Sequence, residues 1–517
     1  MKKRQADIHR VVVTAEQMRE IESRIFAAGM PVAALMEKVG GLIAHRIQTL
    51  YSCLDTPSVG ILIGPGHNGG DALVVARELH FQGYQVQICR PLPRAKALTD
   101  QHAQYVASLG LPIAAQLEDL HTCDLLIDGL FGFGLERPLE GAIANLINQI
   151  NTWSQPLISI DLPSGLHTDT GEVLGTAIQA THTLCLGLWK LGLLQDQGLA
   201  YIGKAQLIDF GIPLADITAV LSSDPAVQRI TPAKAMAGFP LPRHPKTHKY
   251  RQGHCLLIGG SQEYGGSIIL TALGCRATGV GMVTIAVPAS LKPLLLQYVP
   301  EALVVACPET DTGAIAHLPK DLSLEKFDAI VYGPGVTTTP STVLESVLPC
   351  PCPLILDADG LTLLADQDPV AMLKTRPSKT ILTPHPGEFK RLFPLLNRDN
   401  VPEIVQQAAQ ATGAYLVYKG ARVILAPPQG STWINPESTP ALARGGSGDV
   451  LTGILGGLVA QSSPEERSLS TCLCSGIWWH AQAGRRAADN FTELGVDPLT
   501  LCDALIPTLT LAADFQT

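Results

Sequence analysis

Two glycine-rich loops that each end in an aspartate lie far apart in this chain. The first, residues 64–71 (GPGHNGGD), directly follows the apolar run 59–63, and the second, residues 445–449 (GGSGD), directly precedes the helix-like run 450–455. Each is typical of a turn that presents bare backbone N–H groups at a helix start, where the helix dipole favours anions. We therefore predict two separate anion-binding sites, each with an aspartate that can bind a hydroxyl or remove a proton.

The length of the chain, 517 residues, exceeds what one hydrophobic core supports and predicts two domains. We expect an N-terminal domain over residues 1–225 and a C-terminal domain over residues 226–517, with a linker in the proline- and alanine-rich stretch 212–245. Hydrophobic residues make up 46% of the chain and charged residues only 16%, which favours buried, mostly parallel α/β sheets.

Composition also excludes several classes of partner. The net charge of -9 argues against a general nucleic-acid surface but permits a phosphate-bearing metabolite. The 12 cysteines show no paired spacing of the zinc type, so we expect free thiols in a reducing cytosol. Because no uninterrupted apolar stretch is long enough to span a bilayer, we predict a cytoplasmic protein with no membrane and no nucleic-acid partner. We also expect a homo-oligomer.

Apolar runs alternate with helical patterns in both halves, which predicts doubly wound parallel sheets. In the first half, the pattern predicts helices between residues 14 and 50, at 72–83 and at 101–110, and strands at 59–63, 85–89, 125–128, 157–161 and 181–186. In the second half, it predicts strands at 254–258, 283–287, 329–332, 354–357, 380–383, 414–418 and 423–426, and helices at 267–278 and 449–459.

Polar residues follow three strands of the first half. Asn68 lies in the first glycine loop, and Asp128 ends a strand that runs into another glycine-rich loop. Asp161 and Ser164 follow the next strand. Each residue alone is explained as a helix cap or a turn residue. Because doubly wound sheets bind ligands at the carboxyl ends of their strands, the three strand ends together predict one site.

Three segments in this order, GPGHNGGD, LIDGLFGFGLERPL and SIDLPSG, resemble the NAD(P)H-hydrate epimerase family over residues 10–220. The resemblance implies a Rossmann-like fold that interconverts the R and S epimers of hydrated NADH or NADPH, with Asp161 as the acid/base residue. It also implies a potassium ion held by Asn68, Asp128 and Ser164, whose oxygens suit a hard cation. The implied substrate contacts are His67, Asn68, Gly69, Gly70, Asp71, Gly132, Phe133, Gly134, Leu135, Glu136, Arg137, Pro138 and Asp161. His67 replaces an asparagine that is usual in the family.

The second glycine loop places Asp449 at a helix start. There a carboxylate can deprotonate a hydroxyl while the loop N–H groups stabilise a transferring phosphoryl group. A closely packed core helix explains the glycines but not the acid. Other strands of this half also end in chemically useful groups, namely Gly333–Gly335, Asp357 and Asp359, His385 and Glu388, and Lys419. Alone, His385 is explained as a structural histidine and Glu388 as a helix cap.

With HKYRQG at 248–253 and IGGS at 258–261, these motifs resemble the ribokinase-like NAD(P)H-hydrate dehydratases over residues 235–510. The resemblance implies that ADP or ATP phosphorylates the S hydrate and that loss of phosphate restores the nicotinamide double bond. Magnesium (Mg2+) is expected to bridge the phosphates. The implied nucleotide contacts are Lys419, Gly420, Ala421, Arg422, Val423 and Gly448. The implied hydrate contacts are Ser267, which stands where the family often has alanine, Gly335, His385 and the base Asp449.

Together the two halves predict a bifunctional repair enzyme for hydrates of NADH and NADPH (NADHX and NADPHX), because both chemistries share one substrate. The first alternative is a small-molecule kinase of the ribokinase type, which shares the second loop. The motif TPHPGE at 383–388 and the attached front domain weigh against it. The second alternative gives the front domain a ligand- or protein-binding role without turnover.

Overall fold

The computed structural model describes residues 2–114, 116–338, 342–396, 400–462 and 467–514. The described chain divides into two compact units, Met1–Pro225 and Ala226–Thr517. Both units alternate helices with mostly parallel strands, so the α/β fold class predicted for each half is confirmed.

The first unit opens with helices that precede its main sheet. Its helices are α1 (Lys2–Arg10), α2 (Ala15–Ala27), α3 (Val32–Leu50), α4 (His67–Phe81), α5 (Ala97–Ser108), α6 (Gly141–Ile150), α7 (Leu199–Ile202) and α8 (Leu214–Leu221). Its strands are β1 (Val12–Val13), β2 (Ser58–Ile63), β3 (Gln85–Cys89), β4 (Leu125–Gly129), β5 (Leu157–Ile160), β6 (His182–Leu186), β7 (Trp189–Lys190) and β8 (Lys204–Ile208). Within the described residues no single helix is long and apolar enough to cross a bilayer, although the bent pair α2–α3 passes the same test jointly.

The main sheet of the first unit has the strand order β3-β2-β4-β5-β6-β8, with every neighbouring pair parallel. The chain passes from β2 outward to β3 and then returns to the other side of β2 as β4. The loops after β2 and β4 therefore leave the same edge of the sheet side by side. This switch point is where doubly wound sheets bind ligands.

Helix α4 begins at His67, whereas the sequence pattern predicted a start at residue 72. Gly69 and Gly70, which the sequence pattern assigned to a loop, lie in the first turn of the helix. Gly69 lies so close to the Gly64 carbonyl that no Cβ fits there, and a Cβ on Gly70 would displace the end of the Met36 side chain. Close packing, rather than a break in the helix, accounts for this glycine pair, and it brings the N–H groups of the first turn to the edge of the sheet.

The second unit is larger. Its strands are β9 (Val227–Arg229), β10 (His254–Ile258), β11 (Met282–Pro288), β12 (Leu303–Cys307), β13 (Ala329–Tyr332), β14 (Leu354–Leu356), β15 (Thr380–Leu382), β16 (Tyr415–Tyr418), β17 (Ile424–Ala426) and β18 (Thr432–Ile434). Its helices are α9 (Pro232–Met236), α10 (Gly265–Ala277), α11 (Lys292–Tyr298), α12 (Val343–Val347), α13 (Asp359–Ala365), α14 (Pro369–Lys374), α15 (Pro386–Leu392), α16 (Val401–Thr412), α17 (Ser447–Ala460), α18 (Leu469–Phe491) and α19 (Pro498–Asp514).

The sheet of the second unit has the order β12-β11-β10-β13-β14-β15-β16-β17-β18-β9. The strands from β12 to β16 are parallel, but β17 is antiparallel to both β16 and β18. The sheet is thus mostly parallel, as predicted, with an antiparallel strand at this end. The cause is the short connection 419–423, which can join neighbouring strands only as a hairpin, since a parallel crossover needs a dozen residues or more.

The linker predicted at 212–245 is also wrong over much of its length. Helix α8 belongs to the first unit, and β9 pairs in parallel with β18 in the sheet of the second. Pro232 occupies the start of α9, whose cap is the Thr231 hydroxyl. Proline is favoured at such a position, so the composition that suggested a linker marks helix starts instead.

Helices α10 and α17 of the second unit cross with their backbones in contact. A Cβ on Gly453 of α17 would overlap the Thr271 carbonyl of α10, and a Cβ on Gly274 would overlap the Val450 carbonyl. This close crossing brings the first turns of the two helices together. As a result, the Ser267 hydroxyl of α10 lies close enough to the Asp449 carboxylate of α17 to lower its pKa.

The crossing predicts the cost of adding one methyl group. Gly453→Ala is expected to destabilise the second unit by about 1–3 kcal/mol, because the helices must separate to admit it. Gly266→Ala on α10 is the matched control, since a Cβ there meets nothing within 4 Å. Urea unfolding checks the pair. Equal midpoints for the two variants would contradict the proposed backbone contact.

Candidate active sites

A cavity of about 530 Å³ opens at the carboxyl ends of β2, β4 and β5 in the first unit. Apolar side chains of α2 and α3, such as Phe26 and Val39, form one side, and the loops after the strands form the other. The charged side chains that line it are Arg19, Glu22, His67, Asp71, Lys96, Asp161 and Lys190. The cavity therefore concentrates acids and bases from helices and strand ends that are distant in the sequence.

The loops after β2 and β4 meet at the floor of this cavity. The Gly64 N–H donates to the Gly129 carbonyl at 3.0 Å, and a Cβ on Gly64 would overlap the Leu130 carbonyl oxygen. Gly132 lies between two predicted site residues, because a Cβ there would be 3.2 Å from Asn68 Oδ1 and 3.3 Å from Asp161 Oδ2. The structure thus brings Asn68 and Asp161 together, as the sequence predicts.

Asp161 follows β5 with a positive φ of 70°, a strained conformation for a residue with a side chain. Its Oδ2 accepts a hydrogen bond from the Phe133 N–H at 3.0 Å, and its Oδ1 accepts one from the Leu186 N–H at 3.2 Å. Lys190 Nζ lies 2.5 Å from the same Oδ1. Three donors therefore hold this carboxylate in one orientation.

Sequence reasoning missed Lys190, which is fully buried on β7. Its ammonium also donates to the Leu186 carbonyl at 2.6 Å. Burial alone would lower the pKa of Lys190, but the nearby Asp161 carboxylate outweighs it and raises that pKa above the ordinary value. No motif marked this lysine; a lone charged residue inside an apolar stretch was the available signal.

Asp128 lies below the cavity in a closed set of hydrogen bonds. Its Oδ1 accepts from the Ser164 hydroxyl at 2.6 Å and the Leu130 N–H at 3.1 Å. Its Oδ2 accepts from the Ser159 hydroxyl at 2.8 Å and the Ser164 N–H at 2.9 Å. Burial raises the pKa of Asp128, and these donors oppose the shift. The set ties the loops after β4 and β5 together.

The other predicted contacts of this site fall into two groups. Gly132, Phe133, Gly134 and Leu135 line the cavity, as do His67 and Asp71. Gly69 and Gly70 are buried in the first turn of α4, and Glu136, Arg137 and Pro138 are exposed beyond the lining. His67 Nε2 is 3.4 Å from Lys96 Nζ at the cavity mouth, and burial and the Lys96 charge lower the pKa of His67.

The second predicted site lies where α17 begins. Asp449 is in the first turn of that helix, next to Ser267. Burial and the charge of Asp357 raise the pKa of Asp449 to about 7. A Cβ on Gly335 would lie 3.3 Å from the Ser267 Cβ, so Gly335, Ser267 and Asp449 are neighbours. The structure therefore brings together three residues predicted from separate motifs.

A buried ion pair supports this site. Lys419 Nζ lies 2.6 Å from Asp357 Oδ1, and the Thr452 hydroxyl donates to Asp357 Oδ2 at 2.6 Å. Burial alone would raise the pKa of Asp357, but Lys419 and the hydrogen bonds hold it below its ordinary value. A Cβ on Gly448 would lie 3.6 Å from Lys419 Nζ, so the lysine and the glycine loop face one another.

His385 caps helix α15 instead of pointing freely into the site. Its Nδ1 accepts from the N–H groups of Gly387 at 3.0 Å and Glu388 at 3.3 Å, while Glu388 Oε2 accepts from the His385 N–H at 2.8 Å. The structural roles considered for His385 and Glu388 are both real. With Nδ1 accepting, neutral His385 carries its proton on Nε2, which lies 3.5 Å from Glu388 Oε1.

The remaining nucleotide contacts predicted from the sequence, residues 420–423, form the β16–β17 hairpin loop beside Lys419. One further residue escaped the sequence pattern. Buried His480 lies 3.0 Å from the Ser447 carbonyl and 3.2 Å from its hydroxyl. Burial lowers the pKa of His480 to about 4, so the neutral ring holds the start of α17.

Comparison with known proteins gives a consistent result for both units. A family model described as NAD(P)H-hydrate dehydratase matches residues 255–507, and one described as YjeF-related protein N-terminus matches residues 32–192. The chain is 52% identical to the bifunctional NAD(P)H-hydrate repair enzyme Nnr of Thermosynechococcus vestitus, over 96% of this chain and 97% of that relative. The chain belongs to the family of bifunctional NAD(P)H-hydrate repair enzymes.

A second family member agrees with this assignment. The repair enzyme Nnr of a Synechocystis species is 51% identical over 96% of this chain and 94% of that relative. The ADP/ATP-dependent NAD(P)H-hydrate dehydratase of Bacillus subtilis, co-crystallised with ATP and Mg2+, is 28% identical, with a TM-score of 0.47 over 55% of this chain and 98% of that one. Membership of the repair family displaces the small-molecule kinase considered from the sequence.

The Lys190–Asp161 pair predicts a large effect of one substitution. Lys190→Met keeps the length of the side chain but leaves a buried carboxylate without its counter-charge. We expect a loss of about 3–5 kcal/mol in the stability of the first unit, and recovery of most of it in the double variant that adds Asp161→Asn. Hydrogen exchange measured by mass spectrometry resolves first-unit peptides from the rest. A double variant no more stable than Lys190→Met would contradict the pairing.

Proposed function

We propose that the two sites act in succession on hydrated NADH and NADPH. The first site interconverts the R and S epimers, and the second returns the S epimer to NADH or NADPH at the expense of ADP or ATP. The observation that carries this proposal is the second site, where the Asp449 carboxylate and the Lys419 ammonium meet at the start of α17. A base beside a phosphate-binding helix start suits phosphorylation of a hydroxyl.

In the first site, Asp161 is the acid/base residue at the nicotinamide carbon that bears the hydroxyl. Its three donors orient it without covering the cavity that it lines. The N–H groups at the start of α4 suit the substrate diphosphate. His67, Asn68, Asp71 and Gly132–Leu135 contact the substrate, whereas the exposed residues Glu136, Arg137 and Pro138 reach only its outer part.

Two observations support a potassium ion (K+) at Asn68, Asp128 and Ser164, and binding would need one change in a hydroxyl orientation. Asn68 is buried, and its Nδ2 has no hydrogen-bond partner in the described residues, which suits an amide turned to present its oxygen to a cation. The Ser164 hydroxyl lies within 3.2 Å of the Phe131 carbonyl as well as beside Asp128. Rotation of that hydroxyl toward Phe131 frees a lone pair of Asp128. Asn68, Asp128 and Ser164 would then hold the ion, whose charge would stabilise the adjoining loops.

In the second site, Asp449 removes the proton from the substrate hydroxyl as its oxygen attacks the terminal phosphorus of ADP or ATP. The shortened nucleotide leaves, and the hydroxyl becomes a phosphate ester. The carbon–oxygen bond then breaks, phosphate departs with the electron pair, and loss of a proton from the neighbouring carbon forms the double bond. Lys419, Gly448 and residues 420–423 bind the nucleotide, since Lys419 faces Gly448 at the start of α17 and residues 420–423 continue the hairpin loop from Lys419.

Ser267, Gly335 and His385 hold the hydrate, a role supported for Ser267 and Gly335 by their closeness to Asp449. The described residues contain no group of three or more histidine, cysteine or acidic side chains that could hold a metal ion. The phosphate oxygens of the nucleotide would supply ligands that Mg2+ prefers, and the ion would neutralise their charge. A homo-oligomeric state and a cytoplasmic location stay predictions from the sequence.

The two reactions should separate by substitution. Asp449→Asn is expected to lower dehydration by at least about 10²–10⁴-fold, because the base is lost and the shape kept, while epimerisation continues. Asp161→Asn should do the reverse. Because it also leaves buried Lys190 without its counter-charge, hydrogen exchange of first-unit peptides checks that this unit stays folded. Chromatography of the two hydrates, with absorbance of the restored nicotinamide, follows both reactions.

Two results would contradict this division. Near-normal dehydration by Asp449→Asn would remove Asp449 from the role of base. Consumption of the R epimer by Asp161→Asn at the wild-type rate, above its spontaneous epimerisation, would make the first unit a binding module.

Dehydration should also depend on pH in one direction. Asp449 acts as a base only when deprotonated, and burial raises its pKa to about 7. The rate at saturating substrate should therefore rise as the pH passes upward through about 7 and level off above it. Measuring nucleotide affinity below and above pH 7 separates an effect on the rate from an effect on binding. A flat rate across the range would contradict the assignment.

A further inference from the structure

A second acidic side chain, Glu22, faces the cavity of the first unit from helix α2. Its neighbours on the helix, Met18, Ile21 and Ile25, are buried in the core. Glu22 instead lines the same space as Asp161 and Lys190, although it comes from a different element. Burying a carboxyl group at this edge of the helix costs free energy of folding unless a partner or a ligand binds it.

Glu22 differs from Asp161 in its partners. Asp161 accepts hydrogen bonds from Lys190 and two backbone N–H groups. Among the described residues, no group donates a hydrogen bond or forms an ion pair with Glu22, and the carboxyl group meets the open cavity. A structural acid in such a place normally has its donors in the fold. Glu22 is therefore available to a ligand.

The burial and charged surroundings of Glu22 set its pKa. The charged and titratable groups lining the cavity around it are Arg19, His67, Asp71, Lys96, Asp161 and Lys190. Burial raises the pKa of Glu22 to about 7; Lys190 and Lys96 oppose the shift and Asp161 adds to it. Burial, with Asp161 and Glu22, raises the pKa of Asp71 well above its ordinary value. With a pKa of about 7 and an open cavity in front of it, Glu22 can both lose and regain a proton.

Epimerisation of a carbon that bears a hydroxyl and a ring nitrogen needs two proton transfers. The hydroxyl must leave as water, which requires an acid, and a second water must add to the other face, which requires a base. The ion pair with Lys190 presents Asp161 as a carboxylate, which suits the base. A different side chain must therefore supply the acid.

Resting on the epimerase function proposed above, we propose that Glu22 is the second proton-transfer residue of the first site, acting as the acid while Asp161 acts as the base. The carbon–oxygen bond breaks, and the oxygen leaves as water with its electron pair and the Glu22 proton. The ring nitrogen lone pair forms a C=N bond in a cationic intermediate. A water then adds to the other face, and its proton passes to Asp161. Exchange with solvent, or the reverse reaction, restores both residues.

The test compares Glu22→Gln with Glu20→Gln, an exposed acid on the same helix. The full-length protein is given the mixed hydrates of NADPH, and interconversion is followed by chromatography. We expect Glu22→Gln to lower kcat by about 10²-fold or more with KM changed by less than about threefold, and Glu20→Gln to leave both unchanged. Glu22→Asp should recover part of the loss, since the carboxyl group is retained.

The pH profile separates a proton-transfer role from a structural one. Wild-type turnover should fall as the pH rises through about 7, where Glu22 loses its proton, and this fall should be absent from the residual rate of Glu22→Gln. Reaction in ¹⁸O-labelled water should place the label in the interconverted hydrate. Wild-type-like turnover in Glu22→Gln, or retention of the same fall with pH, would overturn the role of Glu22. A wild-type protein no faster than the spontaneous reaction would instead overturn the epimerase function.

Discussion

A buried lysine–aspartate pair lies beneath each of the two sites, and the geometry of the reactive groups depends on it. Lys190 holds Asp161 in the first unit, and Lys419 is held by Asp357 in the second. Removing one partner of such a pair costs about 3–5 kcal/mol, because the other charge is left buried. In the first site the aspartate is the proposed acid/base residue, whereas in the second the lysine is the proposed ligand-binding member. One interaction therefore positions opposite charges for different chemistries.

Backbone contacts that only glycine permits place these pairs at the edges of the sheets. Gly64 lets the loops after β2 and β4 touch, which brings Asn68 and Asp161 to one cavity. Gly453 lets α10 and α17 cross closely, which brings Ser267 to Asp449. In the second unit the reactive acid Asp449 lies in the helix start itself, whereas in the first unit the helix start supplies N–H groups and the strand end supplies the acid. This division of labour matches a substrate with phosphates at one end and a reacting ring at the other.

The sequence predicts most strands and the principal acids of both sites, because strand ends and glycine loops have local signals. Prediction from the sequence fails where a residue's role depends on contacts between distant parts of the chain. Lys190 and Glu22 belong to no motif, and only the folded chain brings them to Asp161. The start of α4 at His67 was missed because packing, not a turn, requires its glycines. The proline-rich stretch around β9 resembled a linker, since pairing with β18 leaves no mark on composition.

The most direct test of the two-site account uses the full-length protein and a chemically prepared mixture of both NADPH hydrates. Return of the nicotinamide absorbance is followed with ADP, with ATP and with neither. The account predicts complete recovery of both epimers that requires a nucleotide, and the preferred nucleotide names the phosphoryl donor. Rapid recovery of the S epimer alone, with the R epimer lagging at its spontaneous rate, would contradict catalysis by the first unit. Absence of recovery with either nucleotide would contradict the dehydratase chemistry.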